Sequence, residues 1–82
     1  MKDLLDIRNE IDGIDRQIVE LFENRMILTT QVAEYKISTG KAVFDKEREV
    51  SKLDSVAELA HSEFNSHGVR ELFEHIMSVS RK

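Results

Sequence analysis

A chain of 82 residues with no Cys, no Pro and only three Gly makes one small domain, and it excludes disulfides and thiolate metal sites. Its 40% hydrophobic and 34% charged residues read as all-helical, and a core this small is marginal, so oligomerisation is the expected reinforcement. The net charge of −4 argues against nucleic acid or an anionic membrane as the main partner, and the opening MKDLLDIRNEIDG carries charges throughout, so it is neither a signal peptide nor a membrane span; a cytoplasmic location is the expectation.

The first predicted helix runs from Lys2 or Asp3 to about Thr39, with Gly40 as its C-terminal cap. Only Gly13 weakens it, by roughly 1 kcal/mol relative to Ala. Alternate steps of three and four from Leu4 visit Ile7, Ile11, Ile14, Ile18, Leu21, Arg25, Leu28, Val32 and Tyr35. Nine of these ten positions are apolar or aromatic, a sustained helical seam, and the tenth is a guanidinium. A helix of this length spans on the order of 55 Å at ~1.5 Å per residue, too long for so small a globule. It must protrude, and its seam needs a second copy of the chain.

A short connection, Gly40 to Phe44, follows, in which Val43 and Phe44 are expected to pack on the bundle. Asp45 reads as the N-cap of a second helix over about 46–61, with Val50, Leu53, Val56, Ala57 and Ala60 as its apolar set. Asn65 or Ser66 reads as the cap of a third helix over about 66–81, with Val69, Leu72, Phe73, Ile76, Met77 and Val79 facing inward.

The polar residues that interrupt this pattern are the candidate site. Arg25 lies on the seam, and a buried cation is costly unless an anion meets it, from a protein carboxylate or from a ligand. Lys36 is 11 residues on, within ~20° of the same face, and either reaches the same cavity or snorkels to solvent. Arg8 is too far from Arg25 along one helix for one compact ligand to touch both. It either pairs with Asp12 a turn away or approaches Arg25 of a second chain across an antiparallel dimer. Asp45, Arg48 and Glu49 share the start of helix two, as a cap and first-turn charges or as a binding group. Ser80 lies on the stripe with Phe73 and Met77, and its hydroxyl either bonds back to its own helix or faces the site. His61, His67 and His75 lack metal-ligand spacing.

Taken together, LLDIRNEIDGIDRQIVELFENR, VAEYK, VFDKEREV and LFEHIMSVS resemble the all-helical class of chorismate mutase, over Leu4 to Ser80. The carrying feature is the ordered set Arg8, Arg25, Lys36, Asp45, Arg48, Glu49 and Ser80 with its spacings. The resemblance implies a three-helix protomer in an intertwined homodimer, with Arg8 entering the neighbouring chain's site. It implies conversion of chorismate to prephenate on the way to phenylalanine and tyrosine, with no cofactor and no metal. By the same resemblance Arg25 and the second chain's Arg8 hold the substrate carboxylates, Lys36 donates to the ether oxygen and to a carboxylate, and Asp45 and Glu49 hold the hydroxyl. Arg48 balances charge near the ring, and Ser80 bonds a carboxylate.

One departure stands out. The family pattern has a Gln or Glu one turn after the Ser, a second donor to the ether oxygen, and this chain ends at Lys82. Losing such a donor costs about 10²–10³ in rate. The expectation is a weakened chain or a domain cut from a longer protein, such as a fusion to a downstream prephenate dehydratase. Two other readings share the same residues: an isochorismate-pyruvate lyase on this fold, and a non-catalytic dimerisation or regulatory module in which Arg25 pairs with a protein acid.

Overall fold

The computed structural model describes residues 2–40 and 46–80. It is all-helical over them, with α1 at Leu4–Thr39, α2 at Lys46–Glu58 and α3 at Glu63–Ser80. These fall into two compact units, Met1–Tyr35 and Lys36–Lys82. The expected packing of Val43 and Phe44 and the cap at Asp45 lie outside the described residues.

The first unit is the body of α1. Asp3 starts the helix: its carboxylate accepts from the Asp6 backbone N–H at 2.9 Å, and its carbonyl accepts from Ile7 N–H at 3.1 Å. Asp6 in the first turn adds a charge favoured by the helix dipole. No residue of α1 is buried. The seam is bare in the single chain: Leu21 is 67% exposed, Leu28 59% and Val32 52%.

The second unit opens with the last turn of α1. Gly40 closes that helix with φ at +74°, where a residue with a Cβ would be strained, and its N–H donates to the Ile37 carbonyl at 3.3 Å. The rest is a helical hairpin. Ser66 Oγ donates to the Ala57 carbonyl at 3.0 Å, and Arg70 Nη2 donates to Asp54 Oδ1 at 2.8 Å. Moving forward along α3 therefore moves backward along α2. The pair is antiparallel, and the end of α3 lies level with the first turn of α2. Its core is Val56, Ala57 and Met77, with Leu53, Phe73 and Ile76 half-buried around them.

The hairpin turn differs from the sequence expectation. α2 stops at Glu58, short of His61, and its last N–H groups tighten to three-residue bonds, Leu59 to Val56 and Ala60 to Ala57. α3 starts at Glu63, and its cap is Ser62, whose Oγ accepts from Asn65 N–H at 3.0 Å. Ser66 does not cap because its hydroxyl serves the orphan Ala57 carbonyl at the end of α2. Val50, Leu72 and Val79, expected inside, are exposed in the single chain. Helical periodicity gives a face but does not say whether this chain covers it. The capping assignment predicts that Ser62→Ala lowers stability by about 1 kcal/mol in urea unfolding, whereas Asn65→Ala stays within about 0.5 kcal/mol.

Candidate active site

Arg25 is half-buried, although the seam residues on either side of it are exposed. Past Gly13, the half-buried residues of α1 are Phe22, Arg25, Met26, Thr29, Ala33 and Lys36. Their spacing of three and four marks one stripe, rotated roughly 90° from the seam residues Leu21, Leu28 and Val32. Arg25 sits on the border between the two. It thus lies between the exposed apolar face and the half-buried stripe. Met26, Thr29 and Ala33 were missed in the sequence because stepping along the seam passes over them; the signal was their offset of one to eight residues from Arg25 on its other flank.

Arg8 is exposed, and among the described residues it makes no ion pair with Asp12. The pairing with Asp12 that its spacing allowed is therefore not made, and the side chain faces solvent. The ion pair recorded in this unit is Lys2 to Glu10 at 2.7 Å, exposed on both sides and therefore worth little.

In the second unit, Lys36 is half-buried in the last turn of α1, where a cation also complements the helix dipole. Glu49 is half-buried and Arg48 exposed in the first turn of α2. Glu47 and Glu49 both suit that helix N-terminus. Ser80 ends α3, and its Oγ donates to the Ile76 carbonyl at 2.7 Å, the back-bond that its position allowed. The antiparallel hairpin puts the end of α3 and the start of α2 at the same end of this unit, so Arg48, Glu49 and Ser80 all lie toward that end, with Ser80 about one turn beyond the other two. Arg25, Lys36, Arg48, Glu49 and Ser80 each have interaction partners. Asp45 lies outside the described residues.

The described members of the expected set carry guanidinium and ammonium donors, one carboxylate and one hydroxyl. Groups of these types suit an anion that also presents a hydroxyl, and among these described residues there is no nucleophile paired with a base. Among the described residues no group of three or more His, Cys, Asp or Glu is placed to hold a metal ion. No described helix is long and apolar enough to cross a membrane.

Comparison with known proteins gives a consistent result. The family model for chorismate mutase type II matches residues 7–82. The T-protein of Haemophilus influenzae is 38% identical over 55 residues, 67% of this chain and 15% of that protein. The bifunctional chorismate mutase/prephenate dehydratase of Buchnera aphidicola subsp. Schizaphis graminum is 35% identical over 79 residues, 95% of this chain and 20% of that protein. The chain thus spans a fifth or less of the length of these curated relatives. The solved chorismate mutase (Form I) from Thermus thermophilus superposes with a TM-score of 0.89 over 96% of this chain and 99% of that one; at 24% identity it shows the fold alone. The chain belongs to the chorismate mutase type II family, and the family and its relatives support chorismate mutase function.

Proposed function

We propose that this domain rearranges chorismate to prephenate in a two-fold dimer whose sites draw on both chains. The observation that carries the reading is Arg25: a guanidinium half-buried at the edge of an exposed apolar seam. That position suits a guanidinium that meets a ligand anion on one flank and a covering helix on the other.

The cover is a second copy. A 3.5-residue apolar repeat on a 3.6-residue helix drifts by about 20° per heptad, so two such seams stay in contact by coiling around each other left-handed. Run antiparallel with Arg8 opposite the partner's Arg25, the two-fold axis falls beside Arg16 and Gln17. The exposed Arg8 then supplies the second fork of each site.

The reaction is a unimolecular pericyclic shift and needs no nucleophile. Catalysis consists of holding the folded conformer and stabilising charge where it develops. Arg25 and the partner's Arg8 grip the two carboxylates, for which planar forks are suited. Because C–O cleavage runs ahead of C–C bond formation, negative charge grows on the ether oxygen, and the Lys36 ammonium donates to it. Glu49, with Asp45, accepts from the substrate hydroxyl and fixes the ring. Arg48 offsets the negative charge that Glu49 brings, and Ser80 bonds a carboxylate from the end of α3. Fusion to a prephenate dehydratase is supported by the names of the bifunctional relatives, which this chain matches over about a fifth of their length. A soluble biosynthetic enzyme of the cytoplasm is the matching location.

Arg25→Ala should lower kcat/KM for chorismate by more than about 10³-fold while sedimentation still reports a dimer; near-normal turnover by that variant would refute the site. In a verified heterodimer of Arg8→Ala and Arg25→Ala chains, one site regains both arginines and the other has neither. About half of wild-type activity per dimer is expected, and a heterodimer as inactive as either parent would rule out sharing across the interface.

A further inference from the structure

Thr29 and Thr30 are neighbours in the middle of α1 with the same local chemistry. Each is β-branched, and each hydroxyl bonds back one turn, Thr29 Oγ1 to the Arg25 carbonyl at 2.8 Å and Thr30 Oγ1 to the Met26 carbonyl at 2.9 Å. They differ in placement. Thr30 is exposed, whereas Thr29 is half-buried on the stripe with Phe22, Arg25 and Met26.

Thr29 is one turn beyond Arg25 on the same face, so the two side chains stand about 5–6 Å apart at Cβ. The Arg25 carbonyl that receives the Thr29 hydroxyl is also the acceptor for the Thr29 backbone N–H in the helix ladder. The hydroxyl can therefore rotate away and leave no backbone group unsatisfied. A carboxylate gripped by the Arg25 fork keeps lone pairs beyond the two that the fork uses. The Thr29 proton is in reach of one of them at little internal cost.

We propose that Thr29 is a substrate-binding residue, its hydroxyl turning from the Arg25 carbonyl to donate to the carboxylate that the Arg25 guanidinium holds. The assignment rests on the mutase reading of Arg25. It adds a third donor to that carboxylate, from a residue outside the expected set. Because the carboxylate is present in both the ground and transition states, the effect falls on binding more than on the chemical step.

Thr30 supplies the control for helix propensity. Steady-state kinetics on chorismate and calorimetric titration with prephenate are measured for wild type, Thr29→Val, Thr29→Ser and Thr30→Val. Thr29→Val should raise KM and weaken prephenate binding by about tenfold, the size expected for losing a hydrogen bond to a charged group, with kcat within about twofold. Thr29→Ser, which keeps the hydroxyl, and Thr30→Val should stay within about twofold of wild type. With an active wild type, three results overturn the assignment: Thr29→Val within twofold of wild type, Thr30→Val losing as much as Thr29→Val, or Thr29→Ser as impaired as Thr29→Val. A folded wild-type protein that neither consumes chorismate nor binds prephenate would overturn the mutase reading and the Thr29 assignment with it. Active wild type with an unaltered Thr29→Val would overturn the Thr29 assignment alone.

Discussion

A helix of 36 residues carries an apolar seam from Leu4 to Tyr35 with a cation set into it, and the apolar residues of that seam are exposed in the single chain. The hydrophobic effect favours a second apolar surface along the seam, and a guanidinium at its edge is well placed to meet a negative charge. In the proposed dimer a second copy of the chain covers the seam and a dianionic ligand meets the guanidinium. The two reinforce each other, because the copy that covers the seam also carries an exposed Arg8 toward the partner's Arg25. On the proposed reading dimerisation and substrate recognition are one design, and the exposed seam is the face that meets the partner.

The charge distribution fits a small anionic substrate better than a large anionic surface. The chain is acidic overall, at −4, so its cations act locally. Arg25 and Lys36 are half-buried, where their attraction for an anion is screened less than on the open surface. Glu49 is half-buried as well, and a carboxylate in that position accepts from a hydroxyl but repels a third carboxylate. On the proposed reading the site discriminates by where its charges stand, which suits a reaction whose catalyst must choose one conformer rather than attack a bond.

α1 was legible because nothing in the sequence competed with its period: the seam, the Asp3 start and the Gly40 stop agree, and agreement between levels is what makes a local reading safe. The hairpin turn was less legible. Between Glu58 and Glu63 there is no Gly or Pro to mark a stop, and Ser62, Asn65 and Ser66 are all good caps by residue type. The choice among them is tertiary, since the Ser66 hydroxyl is engaged by the Ala57 carbonyl of the other helix. Val50, Leu72 and Val79 show the same limit, for a period identifies an apolar face without naming the chain that covers it. Of the site, Arg25 announced itself by breaking a pattern. Lys36, Arg48, Glu49 and Ser80 did not, because each also has an ordinary reason to be where it is: a helix dipole, a first turn, a back-bond. Only their order and spacing, read as a family resemblance, set them apart. Thr29 was silent for a simpler reason, being a polar residue one step off the seam.

The central claim is that the arginines of this fold hold a dianion in a conformer that rearranges, and the identity of the product tests it most directly. The measurement is proton NMR of chorismate incubated with the purified domain, with sedimentation of the same sample. The account predicts a dimer that converts chorismate to prephenate one for one, with no pyruvate released. Release of pyruvate, or intact chorismate in the presence of a folded dimer, would contradict it.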